Sequence, residues 1–235
     1  MTRKPGSSDS NAADTGIATI GEPREAAGKQ RRSRLDSQTE KRAAILQAAR
    51  LVFQRSGYDG ASMNDIAIEA AVSKPTLYVY FDSKEKLFDA LIDTMNASVP
   101  ETVLELDASD PDLESQLVRC GVGLMVKITD PERIEMLRVV TGAAGQFPEV
   151  GQKFFAAGPG RGIEKLKTYL TAAAGRGWLK VTDPELAAYQ LLDLVQSIHI
   201  RRMLFAVAPS PSRQEIERTV RAGVKVFLSA YRPGG

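Results

Sequence analysis

Residues 62–86 read SMNDIAIEAAVSKPTLYVYFDSKEK, from Ser62 to Lys86. The stretch spells two short helices joined by a tight turn. Ser62 with Asp65 makes a capping-box pattern, with Asp in place of the usual Glu or Gln. Ile66, Ala67, Ala70, Val72 and Leu77 put small or apolar side chains at the offsets where two crossing helices must touch. Pro75 suits the first turn of the second helix, where its missing N–H costs nothing. This is the grammar of a helix-turn-helix, whose first helix braces against the DNA backbone while the second enters the major groove. Lys74 suits a phosphate or a guanine edge, Thr76 a phosphate or a thymine methyl. Tyr78 and Tyr80 offer hydroxyls to phosphates and flat rings to sugars. Asp82 and Ser83 open a further helix, LFDALIDTMNASV, with Lys84 adding its charge to that helix's positive end, a good phosphate site.

Upstream, SQTEKRAAILQAARLVFQRSG places Ile45, Ala48, Ala49, Val52 and Phe53 on one face at helical spacing, and Gly57 stops the helix. Residues 1–35 contain no aromatic residue and few large aliphatics, so they cannot bury enough apolar area to offset chain entropy and read as a disordered arm. The arm ends in the basic cluster KQRRSR (Lys29 to Arg34), a candidate auxiliary contact to an adjacent groove. Downstream, Asp110-Pro111, Asp130-Pro131 and Asp183-Pro184 each put a capping carboxylate before a proline at a first helical turn. Ser212 with Glu215 is another capping box. Breaks fall near Gly142–Pro148, Gly158–Gly162 and Gly175–Gly177, and the last two helices are expected at about Asp183–Val207 and Ser212–Tyr231. Alternating strand patterns are nearly absent. The expected organisation is all-α: an arm over 1–35, a three-helix domain carrying the helix-turn-helix over 36–82, and a larger helical domain over 83–235.

Composition bounds the chemistry. The chain has 235 residues, too many for a lone helix-turn-helix and about right for one or two domains. A net charge of only +2 with one basic end fits a protein that touches nucleic acid with one part. A single cysteine, Cys120, excludes an intrachain disulfide, and a single histidine, His199, leaves little for zinc or histidine catalysis. No nucleophile set, phosphate loop or metal spacing appears, so an enzyme is disfavoured and no cofactor or metal is expected. GPGRG (Gly158 to Gly162) is Gly-rich but lacks the lysine and strand context of a phosphate loop, and reads as an interhelical turn. No apolar run is long enough to span a bilayer and no signal-type core follows Met1, which points to a cytoplasmic protein.

The stretch from about Lys41 to Leu91 resembles the DNA-binding domain of TetR-family transcriptional regulators. The resemblance is carried by Phe53, Gly57-Tyr58, Ile66-Ala67, Val72-Ser73-Lys74, Thr76-Leu77-Tyr78, Tyr80-Phe81 and Lys84-Glu85-Leu87, in that order. It implies an all-helical homodimer whose first three helices bind double-stranded DNA and whose C-terminal domain binds a small molecule and dimerises. It places Ser62 and Asn64 where members contact DNA from the second helix, and Lys74, Pro75, Thr76, Tyr78, Val79 and Tyr80 on the recognition helix. Lys84 falls on the phosphate-contacting lysine. Two positions depart from the pattern. Ala61 stands where many members carry threonine, so a hydroxyl contact is missing or Ser62 supplies it. Val79 is unusually apolar for a groove-facing site and suits a thymine methyl. Residues from about Arg138 to Phe205 resemble the C-terminal domain of the AefR-like branch.

The functional expectation is a ligand-responsive repressor bound as a dimer to a near-palindromic operator. An activator, or a regulator controlled by a partner protein, is the alternative. The last two helices are apolar on two faces and so need two partners, which an intermolecular four-helix bundle would supply. Met95, Phe147 and Phe154 border the helix breaks and are the candidates for a ligand cavity. His199 and Cys120 are expected to pack.

Overall fold

The computed structural model describes residues 23–97, 105–196 and 198–234, with side chains from residue 36 onward. Eleven helices and no strand occur among them: α1 (Pro23–Gly60), α2 (Met63–Glu69), α3 (Lys74–Tyr80), α4 (Lys84–Ala97), α5 (Leu113–Ile128), α6 (Pro131–Ala143), α7 (Pro148–Ala157), α8 (Pro159–Gly175), α9 (Pro184–Gln196), α10 (His199–Leu204) and α11 (Arg213–Tyr231). The chain divides into residues 1–41 and 42–235. In the first unit the backbone is helical from Pro23, earlier than the start expected at Asp36, and side chains 36–41 are exposed. The rest of the expected arm, and the side chains of KQRRSR, lie outside the described residues.

Within residues 42–235, α1 breaks at Gly57, whose φ of 71° and ψ of 176° belong to a region that only glycine visits without strain. The break swings Tyr58 into a core with Phe53 and Phe88. α2 ends in a Schellman motif. Val72 N–H donates to the Ala67 carbonyl and Ala71 N–H to the Ile68 carbonyl, with Ala71 left-handed at φ 52°. α8 ends the same way through Gly177. Ala71 carries a Cβ through this turn, a local cost accepted because α2 and α3 must meet in so few residues.

Two apolar cores follow. The first joins α1, α2, α3 and α4 to α6 and α7 through Ile45, Phe53, Ile66, Leu77, Leu91, Met136 and Val140. Packing therefore does not divide at residues 82/83: Leu87, Phe88, Leu91 and Ile92 of α4 are buried with the helix-turn-helix. The second core joins α5, α8, α9 and α11 around Leu117, Met125, Leu170, Leu191, Val220 and Phe227. Here α9 and α11 approach so closely that a Cβ on Gly223 would lie 2.8 Å from the Leu194 carbonyl oxygen.

Most expected helix starts are in place. Asp130 accepts from Glu132 and Arg133 N–H, Asp183 accepts from Leu186 N–H, and Ser212 and Glu215 close a reciprocal capping box. Two expectations are corrected. α5 starts at Leu113 under Asp112, which accepts from Ser115 N–H, because the Asp110 carboxylate is turned onto Asp112 N–H instead. The helix expected over Asp183–Val207 is two, α9 and α10. At the interruption the buried His199 ring pairs with Thr219 at 3.0 Å, and Arg138 of α6 donates to the Leu204 and Met203 carbonyls at the end of α10.

The backbone at Gly57 gives a direct test. An added Cβ there would meet nothing within 4 Å. Gly57→Ala should nevertheless lower unfolding free energy by ~1–3 kcal/mol in urea titration, from backbone strain alone. An unchanged midpoint would contradict the conformation.

Candidate nucleic-acid interface and cavity

α3 is capped by Ser73, whose hydroxyl accepts from Thr76 N–H at 3.2 Å, and Leu77 anchors it to the core. Rotation about that anchor leaves Lys74, Pro75, Tyr78 and Val79 on the outer face as two i, i+4 pairs. Val79 is 81% exposed and Tyr78 42%, high for large apolar side chains. Thr76 is half-buried, with its hydroxyl 2.7 Å from Ser73 Oγ. Tyr80 is half-buried against the core. On α2, Ser62 caps the helix by accepting from Asp65 N–H at 3.2 Å, next to the buried Ala61. Asn64 is exposed.

Lys84 is more committed than its sequence context suggested. Its ammonium donates to the Tyr58 carbonyl at 2.9 Å and the Asp59 carbonyl at 3.3 Å, and lies 4.7 Å from the centre of the Tyr58 ring. It fastens the start of α4 to the chain leaving α1. Beneath it Tyr58 stacks on Phe53 and meets Phe88 and Phe147 edge-on at 5.0 and 5.2 Å. Burial first, then the carboxylates of Glu85, Glu149 and Asp89, push the Tyr58 hydroxyl up to about 12.

A cavity of about 390 Å³ opens among α4, α5, α6, α7, α8, α9 and α10. Its apolar wall includes Leu124, Ile128, Leu137, Phe154, Leu192 and Ile200. Asn96, Arg133, Arg161, Lys165 and Gln196 supply its polar groups. Met95 and Phe154, two of the three residues expected at a cavity, lie on this wall. Phe147 does not, because its ring is taken up by Tyr58 in the first core. The basic lining was missed by sequence reasoning: Arg133 follows a helix start, and Arg161 and Lys165 read as the solvated face of α8, although Lys165 is half-buried and both line the cavity. Arg133 donates to the Met95 carbonyl and, at 3.2 Å, to Asn96 Oδ1, so it grips the C-terminal end of α4. Burial pulls its guanidinium below the ordinary value, with Asp130 opposing.

His199 and Cys120 are both buried, and burial pushes the Cys120 thiol up to about 11, away from thiolate reactivity. Among the described residues no His, Cys, Asp or Glu cluster is arranged for a metal ion, and no helix is long and apolar enough to cross a membrane.

Two family profiles cover most of the chain from residue 45 onward. The family profile for bacterial regulatory proteins of the tetR family matches residues 45–91, and that for the AefR-like transcriptional repressor C-terminal domain matches residues 115–233. The transcriptional activator FasR of Mycolicibacterium smegmatis is 46% identical over 72 residues, which is 31% of this chain and 32% of FasR. The chain thus matches that relative over about a third of the relative's length. The regulator EthR of the same organism is 26% identical over 200 residues, 85% of this chain and 90% of EthR. Among solved structures, the flavonoid-responsive regulator FrrA superposes with a TM-score of 0.70 at 30% identity, over 84% of this chain and 100% of FrrA.

The two lysine-and-tyrosine environments separate structural from surface roles. Lys84→Met should lower unfolding free energy by ~1–2 kcal/mol through loss of its charge-assisted hydrogen bonds. Tyr78→Ala should stay within ~0.5 kcal/mol of the parent chain, as expected for an exposed site. Equal losses in chemical denaturation would mean that Tyr78 is packed rather than presented.

Proposed function

The chain belongs to the TetR family of bacterial transcriptional regulators, and from that premise we propose that it is a homodimeric repressor released from a near-palindromic operator by a small molecule. The observation that carries this reading is the span of α4. Its first residue, Lys84, is bonded to the chain entering the helix-turn-helix, and its last turn, Met95 to Ala97, forms part of the cavity wall. A ligand that favours one position of the α4 end biases the seating of the head. It shifts the equilibrium only by its differential affinity for the two arrangements. A coupling of ~3 kcal/mol would weaken operator binding on the order of 100-fold.

Lys74, Pro75, Tyr78 and Val79 are the first-choice groove contacts because they face outward together. Asn64 flanks them from α2. Ser62, Thr76 and Tyr80 serve mainly to hold the two helices, with hydroxyls at the rim of the interface. Lys84 offers its remaining N–H to a phosphate while bracing α4. For the dimer, α9 and α11 turn an unburied second face outward. Leu186 is 51% exposed and Val226 54%, with Tyr189 beside them. Pairing these faces between two copies gives a four-helix bundle and sets two recognition helices into successive major grooves, ~34 Å apart. The reading assigns the protein to the cytoplasm, where its DNA target lies. Activation is the second reading: FasR, which shares the head, is named an activator, so the head does not fix the direction of control.

Selection from randomised duplexes should recover a preferred site with mirrored halves. On that site Tyr78→Ala and Lys74→Ala should each cost ~1–3 kcal/mol of affinity with the fold intact. Val226→Glu should shift sedimentation toward monomer and abolish binding to the two-half site. A site without symmetry, or a variant series that binds like the parent chain, would refute the interface. Footprinting against the promoter and a reporter assay would separate repression from activation.

A further inference from the structure

The cavity wall is chemically lopsided. Its described polar groups are the cations Arg133, Arg161 and Lys165 and the neutral amides of Asn96 and Gln196, with no carboxylate among them. Arg161 and Lys165 lie four residues apart on one face of α8. Two acids of the neighbouring surface, Glu164 and Glu185, both pair with Lys167, at 3.3 and 3.5 Å. Lys165 is half-buried and makes no ion pair among the described residues. The start of α8 also faces the cavity through Gly158, Pro159 and Gly162 and has no side-chain cap, so the positive end of a 17-residue helix adds to the same field. Leu124, Leu137 and Phe154 give the same wall its apolar part.

Lys165, half-buried beside an apolar wall, has lost part of its hydration, and an anion placed beside it is attracted more strongly than it would be in water. A ligand with one acidic end and an apolar body satisfies both halves of the wall. We propose that the cavity binds an amphipathic organic acid, its anionic group set against Lys165, Arg161 and the start of α8 and its apolar body against Leu124, Leu137 and Phe154. This specifies the chemistry of the effector and rests on the reading of the cavity as the effector site.

The test is calorimetric titration of the full chain with matched probes: octanoate, octan-1-ol and octylamine, and 2-naphthoate against 2-naphthamide. In at least one set the acid should bind about 10-fold more tightly than its neutral partner, the difference one good charge contact makes, with the amine weakest. Lys165→Gln should erase most of that preference and leave the neutral probe unchanged. Arg161→Gln, at an exposed position, provides the same readout should the first variant fold poorly. Equal binding of acid and neutral probes, tighter binding of the amine, no binding in either set, or a preference untouched by both variants would overturn the proposal. The same probes added to the complex with selected DNA keep the two ideas apart. Acid binding that leaves DNA bound overturns the effector reading and supports the chemical assignment. Release of DNA by acid and neutral probes alike does the reverse.

Discussion

The seating of Tyr58 is the constraint on which the rest of residues 42–235 depends. Its ring is buried between Phe53 and Phe88 of the head and Phe147 at the start of α7, and its carbonyl accepts from Lys84. Aromatic pairs of this kind contribute ~0.5–1.5 kcal/mol each beyond area burial. What matters more is that one side chain touches elements from both sequence-matched parts. Gly57 makes the arrangement reachable by turning the chain directly before it. With the hydroxyl pushed up to about 12, Tyr58 stays neutral, and the ammonium of Lys84 approaches its ring as a cation over a π face.

From that point α4 carries the geometry across the molecule. Fourteen residues span about 21 Å at helical rise. Its inner face is locked into the first core by Leu87, Phe88, Leu91 and Ile92. A helix packed at interior density does not bend to absorb a displacement at one end; it moves with its neighbours or holds. The ion pairs of Lys153 with Asp89 and of Arg50 with Glu132 add polar ties from α7 to α4 and from α1 to α6. Both are partly exposed, so they set orientation more than they add stability.

What was legible in the sequence is what closes within a few residues. The caps at Ser62, Asp130, Asp183 and Ser212, the break at Gly57 and the inward face of α2 and α3 all depend on i to i+4 relations, and the family resemblance fixed their order. The failures share a different cause. Asp110, before Pro111, and Asp112, after it, both offer a capping carboxylate, and in the structure Asp110 accepts from Asp112 N–H, leaving Asp112 to cap the helix. The α9–α10 interruption lies beside the His199–Thr219 contact, which joins residues twenty apart. Phe147 reads like any aromatic beside a helix break until Tyr58 is found against it. The cavity was least visible, because its wall is drawn from seven helices and its cations look like surface charge on each helix alone.

Arg133 shows how recognition and transmission meet in one side chain. It sits at the start of α6, where a guanidinium opposes the local helix dipole, and so has no local reason to be buried there. Its reason lies on α4. The Met95 carbonyl and the Asn96 side chain belong to the last turn of that helix, where a cation is favoured by the dipole and by unsatisfied carbonyls. The same guanidinium lines the cavity. On the proposed reading, an anion arriving there would compete with the α4 carbonyls for its N–H groups, since charge-assisted bonds to an anion are the stronger ones. Ligand charge would thereby loosen or displace the α4 end, 13 residues along the helix from the lysine that is bonded to the Tyr58 carbonyl.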